Sequence, residues 1–341
     1  MMKKNYILII TLLFAGLIVN VGSHASSMAD VLKHGTVRCG INESLPGFSV
    51  KDKDGQWRGF DIDMCRAVAA AVFADASKVE YIPVSASDRF EALSSGKFDI
   101  LSRNTTWNLS RDTGMNVTFV GVNYYDGQGF MVSKKSAIRS ALELDGSAIC
   151  VEKATTHIEN LKDYFLLNRM KYQLKEFDSA QMALKAYEEG QCDVITSDQS
   201  SLYSFKTELK NPKESKVLPE VISKEPLGPA VASGNGTLAK IVRWSLFVML
   251  DAEEAGITMD NVDQVRKVSR DPAVRRLLGL EQNTGESLGL QKDWAYNIIK
   301  QVGNYADSFS RNVGKGSALK VKRGLNALWR DGGLHYAPPI D

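Results

Sequence analysis

Residues 102–112 read SRNTTWNLSRD, a stretch holding two arginines, Arg103 and Arg111, and a hydroxyl pair, Thr105 and Thr106. These groups suit a carboxylate, because a planar guanidinium binds one through two parallel hydrogen bonds and hydroxyls can add to its hold. The same residues fit a second chemistry. Asn104-Thr105-Thr106 and Asn108-Leu109-Ser110 match the Asn-x-Ser/Thr acceptor pattern for glycosylation, as does Asn116-Val117-Thr118. A bulky glycan on Asn104 would block a cleft lined by Thr106 and Arg111, so the binding reading treats these patterns as by-products of a hydroxyl-rich composition. A second polar loop, SDQSS at 197–201, supplies the opposite charge in Asp198. Arginine and hydroxyls facing a carboxylate across a cleft would hold a zwitterion, the buried ammonium taking Asp198 as its countercharge.

The elements that must position these loops follow from periodicity. TVRCGI (36–41), VEYIPV (79–84) and FDIL (98–101) read as strands. FDIDMCRAVAAAVF (60–73) carries apolar residues at helical spacing, with Asp61 able to cap its start. Asp88 begins a short helix that Gly96 ends. The order then repeats: strand 147–151, helix 156–167, strand 172–177, helix 179–189 and strand 192–196. Strands alternating with helices argue an α/β fold with parallel sheets. ALSSGKFDILSRN (92–104) lines up with AYEEGQCDVITSD (186–198), placing Gly96 over Gly190 and Asp99 over Asp193. Any helix, glycine cap and strand would look somewhat alike, so the shared βαβαβ order is the stronger sign of two similar lobes. In each, the polar loop follows the third strand, where ligands of open α/β sheets tend to bind.

SKEPLGPAV (223–231), punctuated by proline and glycine, reads as a second crossing between lobes. From Leu238 onward the chain reads as mostly helical, with helices at 239–256, 269–279 and 293–309, and no linker sets this tail apart. Asp271 caps the second of these helices, with Pro272 in its first turn. The expected division is a signal peptide at 1–25, a first lobe at 26–127, a second at 128–224, and 225–341 as the return to the first lobe with a helical C-terminal extension.

Lys3 and Lys4 precede an apolar run from Tyr6 to Val19, with small residues through Ala25. The pattern is a secretory signal peptide, since the run is about 14 residues against the roughly 20 that span a bilayer. The expectation is a soluble exported protein. Lys and Arg number 42 against 40 Asp and Glu, and removing Lys3 and Lys4 leaves the mature chain near neutral, which argues against nucleic acid as a partner. The scattered His24, His34, His157 and His335 give no metal cluster, and the chain has no Gly-rich phosphate loop and no Ser-His-Asp frame. No cofactor and no catalytic residue is expected. Cys39, Cys65, Cys150 and Cys192 form an even set in an exported chain, which favours disulfides over free thiols. Of three possible pairings, the lobe organisation favours Cys39 with Cys65 and Cys150 with Cys192.

In order along the chain, GFDIDMCRAVAAAVF, RFEALSSGKFDI, NTTWNLSRD, TFVGVNYYDGQGFMV, ISKEPLGPAV and RGLNALWRDGGLHYAPP resemble the periplasmic amino-acid-binding proteins of ABC transporters. Among these, the branch serving general L-amino acid uptake is the most similar, with glutamate, glutamine, aspartate and asparagine as typical ligands. The resemblance implies the two-lobed periplasmic binding protein fold of type II, closing on one amino acid between hinges near 126–132 and 223–231. It implies a periplasmic monomer delivering its ligand to an inner-membrane ABC permease complex.

Residue by residue, it places Arg111 and Thr106 on the ligand α-carboxylate, Asn104 at a neighbouring contact, Thr155-Thr156 at a helix start in the second lobe, and Asp198 on the α-ammonium. Arg89 matches a reader of side-chain carboxylates, although Asp88-Arg89 reads equally as a helix-start pair on the surface. Asn42 stands where glutamate-selective relatives carry a second arginine, and Ser44 where glutamine-selective ones carry an aromatic wall. An amide at Asn42 accepts acid or amide side chains alike, as broad specificity requires. The alternatives are an enzyme on the same fold, of the cyclohexadienyl dehydratase kind, or a binding protein feeding a signalling receptor.

Overall fold

The computed structural model describes residues 27–340; the signal peptide expected at 1–25 lies outside them. Two five-stranded sheets organise the chain. The first runs Val79–Pro83, Val37–Ile41, Ile100–Leu101, Ala230–Ala232, Val117–Phe119, and the second runs Tyr172–Phe177, Ser147–Glu152, Val194–Asp198, Gln128–Ser133, Ser215–Val217. In both, the first strand of the βαβαβ unit lies between the second and third, and these three are parallel. In each sheet the fourth strand, Ala230–Ala232 or Gln128–Ser133, is antiparallel to both of its neighbours, so the outermost strand again points the same way as the first three. The expectation of parallel sheets therefore holds in direction for four strands of five, and the one reversed strand of each sheet is the one that follows a strand joining the two sheets, Tyr124–Asp126 or Glu225–Leu227.

The internal repeat has a physical basis. Gly96 and Gly190 both take positive φ, 76° and 74°. Each ends its helix with the same pair of reverse bonds, Lys97 N to Ala92 O with Gly96 N to Leu93 O, and Gln191 N to Ala186 O with Gly190 N to Tyr187 O. Asp99 then accepts from the Arg38 backbone N–H at 2.8 Å, and Asp193 from that of Ala148 at 2.9 Å, each fastening the third strand to the central one. The paired Gly and Asp are thus the residues that stop the helix and dock the strand.

The helix Phe60–Phe73 is buried nearly all round, alanines 67, 69, 70 and 71 included. One side meets the first sheet; the other is covered by the tail helices Gly236–Glu254 and Trp294–Val302. The tail is therefore a third layer of the first lobe. Its expected 293–309 helix is two helices, Trp294–Val302 and Tyr305–Asn312. Gly303 breaks it at φ 91°, and Asn304 with Asp307 forms a capping box that starts the next. Asp271 caps Pro272–Leu277 as read from sequence. Asp61 does not cap its helix: the N-cap is Gly59, without a side-chain bond. Both disulfides have the expected pairing, Cys39 with Cys65 and Cys150 with Cys192.

Two strands join the sheets, Tyr124–Asp126 and Glu225–Leu227, paired antiparallel with Asp126 opposite Glu225. Among the described residues no helix is long and apolar enough to cross a membrane.

Candidate functional site

The residues singled out by sequence, Asn42, Arg89, Asn104, Thr106, Arg111, Thr156 and Asp198, all line one cleft between the sheets. Each is held there by local structure. Asn108 caps the Leu109–Gly114 helix, its side chain accepting from the Arg111 backbone N–H at 3.0 Å. This cap turns the Arg111 side chain back so that its guanidinium donates to Thr106 O at 3.0 Å. Asn104 sits at φ 33°, a conformation that asparagine tolerates better than most residues. Its backbone N–H donates to Asp61 at 2.9 Å and its side-chain oxygen accepts from Asn42 at 3.1 Å. Asp61 also accepts from Ser102, so the residue expected to cap a helix instead shapes the ligand loop. With Asn104 in the cleft and Asn108 used as a cap, both acceptor asparagines of SRNTTWNLSRD have structural employment.

Arg89 is 3% exposed, which decides against a surface ion pair at the helix start. It and Arg111 stand 4.9 and 5.5 Å from the Phe90 ring centroid, an apolar platform between two cations. Arg103, 4% exposed, completes a cluster of three buried arginines on the first-lobe side. Its Nε donates to Val84 O at 2.9 Å, and its Nη2 meets Glu152 of the facing sheet at 3.6 Å. Burial makes all three guanidinium groups less willing to carry charge, and at Arg89 the neighbouring Arg103 and Arg111 add to this. Arg89 Nε is buried and has no hydrogen-bond partner. An unpaired donor in a crowd of buried cations is the environment an incoming carboxylate would relieve.

The other wall carries negative charge. Asp198, 2% exposed, ends its strand and opens the Gln199–Glu208 helix, with its Oδ1 3.0 Å from His157 Nε2. Burial works against a charge on His157, yet Asp198 outweighs it and raises the imidazole above its usual range. Asp126, on the adjoining hinge strand, is pushed up to about 7 by burial and by Asp198. Thr156 is the N-cap of His157–Leu167, whose N-terminus faces the cleft. The Thr106 and Thr156 hydroxyls both donate to Glu225, at 2.5 and 2.9 Å.

The sheets are drawn together across this cleft. Arg89 donates to Ala154 O at 3.3 Å, Ser204 to Pro46 O at 2.6 Å, and Gln181 to Ser44 O, each bond joining the two sides. Sequence reasoning missed Glu152, His157 and Glu225, and it counted Arg103 among the groups that suit a carboxylate without assigning it a particular ligand contact. Arg103 adjoins Asn104 and His157 adjoins Thr156, so adjacency was a usable signal; Glu152 and Glu225 had none. Among the described residues no group of three or more His, Cys, Asp or Glu could hold a metal ion.

Residues 37–332 match the model of the bacterial extracellular solute-binding proteins, family 3. The chain is 52% identical to the general L-amino acid-binding periplasmic protein AapJ of Rhizobium johnstonii, covering 93% of each chain. It is 46% identical to the glutamate/glutamine/aspartate/asparagine-binding protein BztA of Rhodobacter capsulatus, over 93% of this chain and 94% of that one. A periplasmic binding protein of an ABC transporter from Brucella ovis, solved with glutathione bound, superposes with a TM-score of 0.91 at 49% identity, covering 93% of this chain and all of that one.

Proposed function

The chain belongs to family 3 of the bacterial extracellular solute-binding proteins, and from that premise we propose that it captures L-amino acids in the periplasm and delivers them to an ABC permease. The observation that carries the reading is the polarity of the cleft: three buried arginines, one with an unpartnered donor, face buried Asp198. Arg111 and the backbone N–H of Thr106 take the α-carboxylate, helped by the N-terminus behind Thr156, and Asp198 takes the α-ammonium. The side chain of the ligand then points toward Arg89, Arg103 and Asn42, which suits acids and amides.

The lobes correspond to 26–127 with 225–341 and to 128–224, and the ligand stabilises their closed arrangement because Asp198 and Thr156 reach it only from the second lobe. No covalent step is part of this reading, and the relatives carry the names of binding proteins. Glutathione, bound in the Brucella neighbour, carries a free α-amino acid zwitterion at its γ-glutamyl end, so the same clamp would accept it with the lobes further apart.

A thermal-shift screen of ligand-stripped protein against the common L-amino acids and glutathione tests this. A ligand at about 100 times its dissociation constant adds about 2.7 kcal/mol of stability. Glutamate, glutamine, aspartate or asparagine is expected to raise the melting temperature, and Arg111→Ala to abolish that rise while keeping the unliganded melting temperature. No shift with any zwitterion, or full binding by Arg111→Ala, would sink the proposal.

A further inference from the structure

Glu225 lies on the second hinge strand and is 1% exposed, yet its carboxylate does not line the cleft. It sits one hydrogen bond behind it. Its Oε2 accepts from Thr106 Oγ1 of the first lobe and from Thr156 Oγ1 of the second, while Oε1 accepts from Asn160 Nδ2 at 2.6 Å and Ser223 Oγ at 2.8 Å. A buried carboxylate is tolerated only when its oxygens are supplied with donors, and charge-assisted bonds of this kind are the strong ones. This supply comes from both lobes at once. Thr156 and Asn160 belong to the cap and first turn of one helix, whereas Thr106 follows the third strand of the other sheet.

We propose that Glu225 is a positioning residue for ligand capture, a latch whose carboxylate is fully satisfied only when the lobes are closed and which fixes the orientation of the two cleft threonines. Separating the lobes removes either the Thr106 donor or the Thr156 and Asn160 donors, so opening exposes a carboxylate that closure had satisfied. A second consequence follows from hydrogen counting. Each threonine hydroxyl has one proton, and Glu225 takes both, so Thr106 Oγ1 and Thr156 Oγ1 present acceptor lone pairs to the cleft. They then serve the ammonium end of a zwitterion beside Asp198, leaving the carboxylate to Arg111 and to backbone N–H groups. This inference rests on the capture reading above for its ligand, while the closed-state latch itself does not depend on which ligand is bound.

The test is Glu225→Gln in the mature full-length chain, with fluorophores placed on the two lobes to read their separation, and with glutamate and glutamine as ligands. The amide cannot accept from all four donors, so the ligand-free distance distribution is expected to move toward the open form. Ligand dissociation is expected to speed up by about tenfold or more with a smaller change in the association rate. Glu225→Asp, which keeps the charge, is expected to recover part of both effects. Asn160→Ala removes one second-lobe donor without touching the ligand contacts and keeps the question answerable if Glu225→Gln does not fold. It is expected to shift the distribution the same way by less, and its effect in Glu225→Gln is expected to be smaller than in the parent. An unchanged distance distribution in both variants overturns the latch, as does weakened binding with lobe separation identical to the parent. If the parent protein closes on no amino acid or glutathione, the capture reading fails, and the ligand-free distances still decide the latch.

Discussion

The two lobes share a strand order and a docking device, yet they are covered differently. In the first, the Phe60–Phe73 helix lies between the sheet and the tail, and Tyr305 and Phe309 of the tail pack on Phe60, with ring centroids 5.4 and 6.3 Å away. In the second, the helices His157–Leu167 and Ala180–Glu188 keep an open outer face, with Leu166, Leu167 and Met182 exposed. The tail also reaches the first hinge strand. Asn326 accepts from Tyr125 N at 2.7 Å and donates to Tyr125 O at 3.0 Å, and Tyr305 donates to Asn123 O at 2.8 Å. One lobe is thus a three-layer body that braces a hinge, and the other is a lighter body carried on it. The division of the site follows the same line. The first lobe contributes the arginine cluster, Arg89 and Arg111 from two short helices and Arg103 from the loop between them, and the second contributes a helix N-terminus and the countercharge.

The comparison can be broken most severely in the tail. Phe309 is 2% exposed and packs on Phe60, Tyr124 and Tyr305. Phe309→Ala is expected to lower stability by about 3–5 kcal/mol, the usual cost of emptying an aromatic site, as read from urea unfolding. A loss below about 1 kcal/mol would mean that the third layer is dispensable to the first lobe.

A smaller effect separates the lobes by pH. Burial pushes Asp61, in the first lobe, up to about 6, and burial with Asp198 pushes Asp126, on the hinge, up to about 7. Both folded values lie above the unfolded carboxylate range, so the folded chain holds protons that the unfolded chain has released. Their contribution to stability is complete below about pH 4 and is lost as pH rises through 6 to 7. Ligand capture has the opposite sign. An ammonium on Asp198 offsets the repulsion that helps keep Asp126 protonated, and protonated His157 competes with it for Asp198. Affinity is therefore expected to fall by about 3- to 10-fold between pH 8 and pH 6, with proton release on binding near pH 7. Calorimetry in buffers of different ionisation enthalpy reads this directly, and binding without proton release would uncouple the hinge carboxylate from the site.

A change in ligand ranking sharpens the role of the first lobe in selectivity. Arg89→Ala is expected to weaken glutamate and aspartate by about 1.5–3 kcal/mol in binding free energy, the range for a charge-assisted bond, and glutamine and asparagine by less. Equal losses for all four ligands would show that Arg89 supports the cleft without reading the side chain.

Much of this was legible along the chain. The strand and helix order follows from periodicity, and the disulfide partners follow from that order. Arg111 and Thr106 announce themselves because they stand five residues apart in one hydroxyl-rich loop whose cap is local. The NYAD capping box at 304–307 was present in the sequence, but the continuous apolar stripe across it read as one helix. Asp61 misled for a related reason: an aspartate at a helix start has a local use, whereas its actual partner, Asn104, is 43 residues away.

By itself, the sequence determined two α/β lobes, their pairs of cysteines, and an arginine loop and an aspartate loop at equivalent strand ends, because each of these rests on contacts between near neighbours or on a repeated pattern. Only the tertiary structure decided that Arg89 is buried, that Arg103 meets Glu152 and His157 meets Asp198, and that Glu225 collects donors from Thr106 and Thr156, 119 and 69 residues away. Those encounters come from the packing of whole lobes against each other, and a side chain carries no local mark of the partner that such packing will bring to it.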